Sequence, residues 1–300
     1  MYDIIIVGGG TAGLSAAIYG VRAGKEVLIL EKKTYGGQII NSPEVENYPG
    51  ILRISGFEFA TGLYEQATTL GAKFEIGHVV EIEDEKEYKR VITEEKVYET
   101  KTIILATGAK NRPLGVEREE KFIGAGVSYC ATCDGMFFRD RKVAVVGGGN
   151  TALEDALFLS NYCKQIFVIH RRKEFRGEDK LFETLKTKEN VTFVLDSVVT
   201  ELKGDDMLEG IIVKNVLTGE EKELQTEGLF VAIGQMPENE LFINFVTLDD
   251  KGYIEAAEDC KTRTPGIFTA GDCRTKNVRQ LATAAADGAV AALAACEYIG

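Results

Sequence analysis

The 300-residue chain has no tryptophan, only two histidines and only five prolines. So little proline excludes a collagen-like or proline-rich linker architecture. Cationic side chains are also in deficit. Lys plus Arg number 35 against 47 Asp plus Glu, for a net charge of −12. A chain of that sign repels nucleic acid and anionic membrane as a whole, although a local basic cluster is still able to hold a phosphate. No run of 18 apolar residues stands out, and the first strand pattern begins at Tyr2. The expectation is therefore no membrane span, no targeting segment and a cytoplasmic location. In that compartment six cysteines do not form a disulfide framework. Glycine is what the chain has in excess, with 32 residues against a usual ~7%. Glycine without proline points to tight loops around ligands. At about 150 residues per domain the length suggests two domains.

The chain repeats itself. Residues 4–31, IIIVGGGTAGLSAAIYGVRAGKEVLILE, align without a gap on residues 143–170, VAVVGGGNTALEDALFLSNYCKQIFVIH. Each copy has a short apolar β-branched run, three glycines, a helical pattern and a second apolar run. That is a βαβ unit with buried parallel strands. Each copy is followed by alternating apolar and charged residues, 75–105 and 191–233, which predict a small antiparallel meander and a return strand. The acidic run from Glu81 to Glu95 is taken as its solvated face. The return strands end in similar turns, Ala106-Thr107-Gly108 and Ala232-Ile233-Gly234. A tail from Gly266 adds one strand, Gly271-Asp272 and a long Ala-rich helix. The fold class is α/β, with two Rossmann-like domains of the three-layer ββα type, the second inserted into the first. Residues 1–113 and 237–300 form the first domain and 114–236 the second, with crossings near Arg112–Pro113 and Gln235–Pro237.

Both loops have the composition of a dinucleotide cradle. Gly8 allows the turn after the strand, Gly10 lets the backbone approach a pyrophosphate, and Gly13 lets the helix opening at Thr11 and Ala12 pack on the strand. Glu31, at the end of the second strand, is placed to accept hydrogen bonds from ribose hydroxyls. The second loop is Gly147, Gly148, Gly149, Asn150, Thr151 and Ala152, with Ala152 at the third glycine position. Opposite Glu31 in the alignment stands His170, followed by Arg171, Arg172 and Arg176. Exchanging a carboxylate for cations marks a 2′-phosphate, hence NADP(H). An acid-ended loop and an arginine-ended loop in one chain point to FAD plus NADPH.

Cys130-Ala131-Thr132-Cys133-Asp134-Gly135 holds the one C-x-x-C. Beside a βαβ unit this spacing reads as a redox dithiol. A zinc site would need further ligands that two scattered histidines do not supply. His78 falls in a strand pattern and is expected to be structural. Asp134 has two readings: a proton donor and acceptor for the dithiol, or a turn or helix-capping residue. Cys163, Cys260, Cys273 and Cys296 are expected to be small buried residues. No metal site is expected.

The segments GGGTAG, GGQII with ENYPG, CATCDG, GGGNTALEDALFLSN, HRRKEFRGE, FVAIGQMP and GIFTAGDC with RQL, in this order, resemble the bacterial low-molecular-weight thioredoxin reductases over essentially the whole chain. The resemblance implies a homodimeric flavoprotein that spends NADPH to reduce the disulfide of thioredoxin or a thioredoxin-like protein. Gly8, Gly10, Thr11, Ala12, Gly13, Glu31, Gly36, Gly37, Gln38, Asn47, Ala106, Thr107, Gly108, Gly271, Asp272, Arg279, Gln280 and Leu281 are then expected at FAD. Gly147, Gly149, Asn150, Thr151, His170, Arg171, Arg172, Arg176 and Ile233 are expected at NADPH. Cys130, Cys133 and Asp134 form the catalytic set, with Cys133 facing the flavin and Cys130 attacking thioredoxin. The dithiol and the NADPH loop share the inserted domain, yet both must reach one flavin, so a domain rotation between half-reactions is expected. Two departures from the family pattern are Gly177, where Ala is more familiar, and Cys273, an extra thiol beside Asp272.

Three rivals are weighed. A peroxide-reducing relative depends on a thioredoxin-like N-terminal extension, and here Met1 leads directly into the strand. A ferredoxin-dependent relative lacks a working NADPH site, against the intact GGGNTA and HRRKEFR. A nucleotide-sensing module without turnover has no use for CATCD. Reductases related to glutathione reductase carry their cysteines in the first domain, and residues 31–60 have none.

Overall fold

The computed structural model describes residues 1–300 except Pro43, Lys86 and the side chain of Asn41. Lys86, in the turn of the first expected meander, lies outside the described residues. The chain divides into two compact units, Met1–Lys110 with Met236–Gly300, and Asn111–Gln235.

In the first unit β1 (Tyr2–Val7) leads into α1 (Thr11–Arg22) and β2 (Val27–Glu31). After α2 (Gly56–Thr69) come β3 (Lys73–Ile76), β4 (Val79–Glu85), β5 (Tyr88–Thr93), β6 (Val97–Leu105) and β7 (Ala109–Asn111). The sheet order is β3-β2-β1-β6-β5-β4. β6 serves two purposes. Its first half pairs antiparallel with β5, and it runs parallel to β1 up to Leu105. His78 falls between β3 and β4 rather than in a strand, with Nδ1 3.1 Å from Glu94 Oε1.

The second unit opens with α3 (Glu119–Phe122), β8 (Val127–Ser128) and α4 (Ala131–Asp134). Then follow β9 (Lys142–Val146), α5 (Asn150–Leu159), β10 (Gln165–Ile169), α6 (Asp179–Lys186) and β11 (Val191–Val194). The strands β12 (Ser197–Lys203), β13 (Gly210–Asn215) and β14 (Glu221–Gln225) form an antiparallel sheet, and β15 (Gly228–Val231) returns to the parallel one. That parallel sheet has the order β11-β10-β9-β15-β8. The repeat extends to register. Ile4 pairs with Val27 and Val7 with Leu30, while Val143 pairs with Ile166 and Val146 with Ile169, a shift of 139 at every partner.

The chain re-enters the first unit through β16 (Gln235–Pro237), which pairs with β7, then adds β17 (Ile267–Thr269) beside β6 and α7 (Leu281–Ile299). The expected Ala-rich helix is α7; with 19 residues and a mean hydropathy of 1.2 it is long and apolar enough to cross a membrane, where no such stretch was expected. Its packing gives another reason for that composition. A Cβ on Gly288 would lie 2.2 Å from Ala12 O. Only a stripe without side chains lets α7 approach α1 this closely, and Ala291, Ala292 and Ala295 continue it, fully buried. Cys163, Cys260 and Cys273 are buried as expected, whereas Cys296 is half-buried.

Candidate functional site

The nucleotide loops are built by close backbone approach. A Cβ on Gly8 would lie 2.3 Å from Ala106 O, and one on Gly147 would lie 2.3 Å from Ala232 O. Both glycines also have positive φ, 112° and 157°. No side chain fits at either, because the return strand crosses directly over the loop. Gly13 is equally constrained, its Cβ position being 1.9 Å from Gly8 O. Gly10 and Gly149 differ in kind. Nothing lies nearer than 3.9 Å to a Cβ on Gly10, and nothing within 4 Å of one on Gly149. Their missing side chains leave open space at the start of α1 and α5, the shape of a phosphate cradle with helix amides behind it.

Around the first cradle the structure gathers residues from distant parts of the unit. Glu31 Oε2 accepts the Gly9 N–H at 2.7 Å, and Oε1 accepts the Lys33 N–H at 3.0 Å. Each carboxylate oxygen keeps a second lone pair for a hydroxyl. Gly36 N–H donates to Gly9 O at 2.8 Å, which folds Gly36-Gly37 onto the loop. Gln38 donates its amide to Ala109 O. A Cβ on Gly271 would meet Ala12 Cβ at 2.7 Å, so the Gly271-Asp272 turn lies against α1. Gly271 N–H donates to Asp287 Oδ2 at 3.0 Å. Asn47 Nδ2 donates to Gln280 Oε1 at 3.2 Å, and Gln280 caps α7 just before Leu281.

Asp272 carries the most telling atom. Its Oδ1 is buried and has no hydrogen-bond partner. Burial pushes its carboxyl above the usual range, opposed by Lys276 and Arg279. A buried acceptor without a donor costs about 1–3 kcal/mol, which a ligand hydroxyl would recover. Arg279 lies 4.0 Å over the Tyr253 ring and donates from Nη2 to Arg274 O at 3.2 Å.

Several residues of this site escaped the sequence reading. Asn239 is fully buried. Its Oδ1 accepts from Thr107 Oγ1 at 3.1 Å, and its Nδ2 donates to Cys273 O and Gly252 O, both at 2.9 Å. One side chain thus joins the 106–108 turn to the Asp272 turn. Asn239 belongs to no motif, and the same is true of Tyr253 and Asp287.

At the second cradle the His170 ring packs beneath the loop. Its ring would be 2.0 Å from a Cβ on Gly148 and stacks on Phe175 at 4.9 Å, with Nε2 3.1 Å from Glu174 O. Burial pushes its pKa down, helped by Arg171, Arg176 and Arg172. His170 is therefore held toward its neutral form beneath the loop, opposed by its hydrogen bond to Glu174 O, and the arginines that follow it carry the positive charge. Arg171, Arg172 and Arg176 are exposed, and their guanidinium groups make no ion pair among the described residues. The arginine loop is tied back at its far end. Arg176 N–H and Gly177 N–H donate to Gly148 O at 2.7 and 3.2 Å. Asn150 Oδ1 accepts the Glu178 N–H at 2.8 Å, and Asn150 Nδ2 donates to Glu178 Oε1 at 3.2 Å. Gly177 suits that approach, since a Cβ there would be 3.1 Å from Asn150 N and 2.6 Å from Leu153 Cδ1. Thr151 is the second residue of α5, and Ile233 lies on the return turn after β15.

Cys130 and Cys133 are joined as a disulfide at the start of α4. Both are half-buried. Cys130 O accepts the N–H groups of Cys133 and Asp134 at 3.3 and 3.1 Å. Ser128, buried on β8, binds both sides of this turn: its Oγ accepts the Cys130 N–H at 3.1 Å and donates to Asp134 Oδ2 at 2.6 Å. Asp134 Oδ1 is buried with no partner. Burial raises the Asp134 pKa, opposed by the hydrogen bond from Ser128. A carboxyl held toward its neutral form beside a disulfide is equipped to donate a proton there.

The chain matches the pyridine nucleotide-disulphide oxidoreductase family over residues 2–289. It is 40% identical to the thioredoxin reductase of Listeria monocytogenes, over 100% of this chain and 94% of that protein. Among solved structures, the thioredoxin reductase of Streptococcus pyogenes is 41% identical with a TM-score of 0.94, covering 99% of this chain and 98% of its own. The Lactococcus lactis thioredoxin reductase in its FR conformation is 40% identical with a TM-score of 0.69, covering 100% and 99%. A family match of this extent, on a fold with two nucleotide cradles and a C-x-x-C disulfide, makes the chain a member of the pyridine nucleotide-disulphide oxidoreductase family.

Proposed function

We propose that the chain is an NADPH-dependent thioredoxin-disulfide reductase, a flavoprotein that works as a homodimer. The observation that carries this reading is the Cys130–Cys133 disulfide with Asp134 beside it, in the same unit as the arginine-marked cradle. FAD is assigned to the unit of Met1–Lys110 and Met236–Gly300. Gly10 provides the open cradle, Glu31 the ribose acceptor, and Asp272 a buried acceptor that lacks a donor. NADPH is assigned to the cradle at Gly149, with Arg171, Arg172 and Arg176 for the 2′-phosphate. FAD held in the first unit would supply a two-electron carrier between the nicotinamide and the disulfide.

The remaining chemistry belongs to the chain. Reduction of Cys130–Cys133 takes two electrons and two protons, and Asp134 is placed to supply one of those protons. The Cys130 thiolate then attacks a partner disulfide, forming a mixed disulfide and releasing one partner thiol. Cys133 displaces the second partner sulfur and restores the Cys130–Cys133 bond. Asp134 accepts the proton from the attacking pair. Ser128 holds Asp134 through Oδ2 and leaves Oδ1 free for this exchange. Because Cys133 must meet the flavin in one half-reaction and Cys130 must be exposed to a protein disulfide in the other, the unit Asn111–Gln235 turns as a body about its two crossings.

Replacing Cys130 and Cys133 by Ser is expected to abolish NADPH-dependent thioredoxin reduction while NADPH still bleaches the flavin. Retained thioredoxin reduction would remove the dithiol assignment. A reversible cross-link between the two units is expected to stop turnover and leave one half-reaction intact. Full steady-state activity in a verified cross-linked enzyme would rule out the rotation.

Asp134→Asn separates proton transfer from stability. Burial raises the folded-state pKa of Asp134 above the ordinary value of 3.8. The wild type therefore has the full contribution of this group below that ordinary value and loses it as pH rises through the raised one. The amide that replaces the carboxyl does not titrate. The melting temperature of Asp134→Asn relative to wild type should climb between pH 4 and pH 8, while disulfide exchange slows by about 10²-fold or more. A pH-independent difference in melting temperature would show that the buried carboxyl carries no such cost.

A further inference from the structure

Outside the catalytic set, the second unit holds one further buried carboxylate with an unusual set of partners. Glu119 opens α3 and is 5% exposed. Its Oε1 accepts the Leu114 N–H at 2.9 Å and the Tyr129 hydroxyl at 2.6 Å, and its Oε2 accepts the Gly115 N–H at 2.9 Å. It forms no salt bridge among the described residues. A buried charge held only by neutral donors needs every one of them.

The positions of those donors matter. Leu114 and Gly115 lie just after the crossing into the second unit at Asn111. Tyr129 directly precedes Cys130. A carboxylate in the first turn of a helix usually serves the amides of its own helix. This one reaches back to the entry segment and across to the redox segment. The backbone makes a rare turn to allow it. Arg118 adopts φ 65° and Gly115 φ 77°. A left-handed arginine costs of order 1 kcal/mol and persists where its surroundings impose it. Here the Arg118 guanidinium donates to Gly204 O at 2.6 Å and lies 5.0 Å over the Phe122 ring. Leu114, Val116 and Tyr129 pack against the same apolar cluster. Burial and Glu119 push the Tyr129 hydroxyl up, so it remains a donor throughout the working pH range.

We infer that Glu119 is a positioning residue for the dithiol: through Tyr129 it fixes the chain entering Cys130 to the segment that enters the unit, so that the disulfide keeps one place relative to the crossing as the unit turns. The inference rests on the function proposed above, because it assigns Glu119 to the disulfide step of that cycle. Neither Glu119 nor Tyr129 touches a reacting atom. Both act through the backbone of residue 129.

The test uses the FAD-loaded full chain and reads two half-reactions separately. NADPH bleaching of the flavin reports cofactor reduction. The appearance of two new thiols per chain reports reduction of Cys130–Cys133. In Glu119→Gln and Tyr129→Phe, thiol formation should slow by about tenfold or more, as expected when a reacting group is misplaced. Flavin bleaching should stay within about twofold of wild type. Tyr129→Phe leaves both amide bonds to Glu119 in place and keeps the fold testable if Glu119→Gln fails to fold. The double variant should be no slower than the slower single one, since both substitutions break the same tie. Thiol formation at the wild-type rate in Tyr129→Phe would overturn the inference. So would an equal slowing of both half-reactions, which is the mark of general damage. If the wild type itself forms no thiols with NADPH, the proposed function fails instead, and the two outcomes are distinct.

Discussion

The contact on which both halves of the molecule depend is the approach of a return strand to the first glycine of a loop. Gly8 against Ala106 O and Gly147 against Ala232 O leave no room for a Cβ. The approach has a matching hydrogen bond in each unit, Ala106 N–H to Val7 O and Ala232 N–H to Val146 O, both at 2.8 Å. The return strand thereby becomes the neighbour of the first strand. The turn that follows it, 106–108 or 232–234, is delivered to the mouth of the loop. The helix start is pressed onto the strand, and open space remains in front of Gly10 and Gly149. A side chain at Gly8 or Gly147 would push the return strand away and dismantle the cradle with it.

On this common backbone the chemistry diverges at a single structural position. Glu31 turns its carboxylate onto Gly9 N–H, and His170 lays a neutral ring against Gly148. The charge of the second site is carried instead by the loop beyond His170, held in place by Gly148 O and Asn150. The redox segment is no part of the repeat. It occupies the stretch between the crossing and β9, and its order comes from side chains: Ser128 for Asp134 and the Cys130 amide, Glu119 for Tyr129. Orphaned acceptors at Asp134 and Asp272 fall at the two places where the proposed function has the chain meet protons or hydroxyls from outside itself.

What was legible in the sequence is what short spacing encodes. The glycine loops, the 139-residue repeat and the C-x-x-C are all set within a few residues, so the backbone geometry follows from the residue types. Asn239, Tyr253, Asp287, Ser128 and Glu119 were not legible, because each acts across tens of residues or through a turn that no pattern announces. The surroundings of the two histidines were not legible for related reasons. His78 has strand-like neighbours but closes the gap between β3 and β4. His170 stands beside three arginines in the chain, yet burial directs its ring under the loop. The Ala-rich helix of the tail was legible as α7, but not the role of Asp287 within it, which is turned to Gly271, Lys276 and Arg274.

On the proposed function, one duplicated cradle accepts two different nucleotides because charge was exchanged beside one copy. The most direct measurement is the dissociation constant of NADPH and of NADH for the wild type and for a variant with Arg171, Arg172 and Arg176 all replaced by Ala. Charge-assisted hydrogen bonds contribute about 1.5–3 kcal/mol each when well formed. The variant should therefore bind NADPH about 10²-fold or more weakly, while its affinity for NADH changes by no more than about twofold. An equal loss for both nucleotides, or no loss for either, would contradict the account.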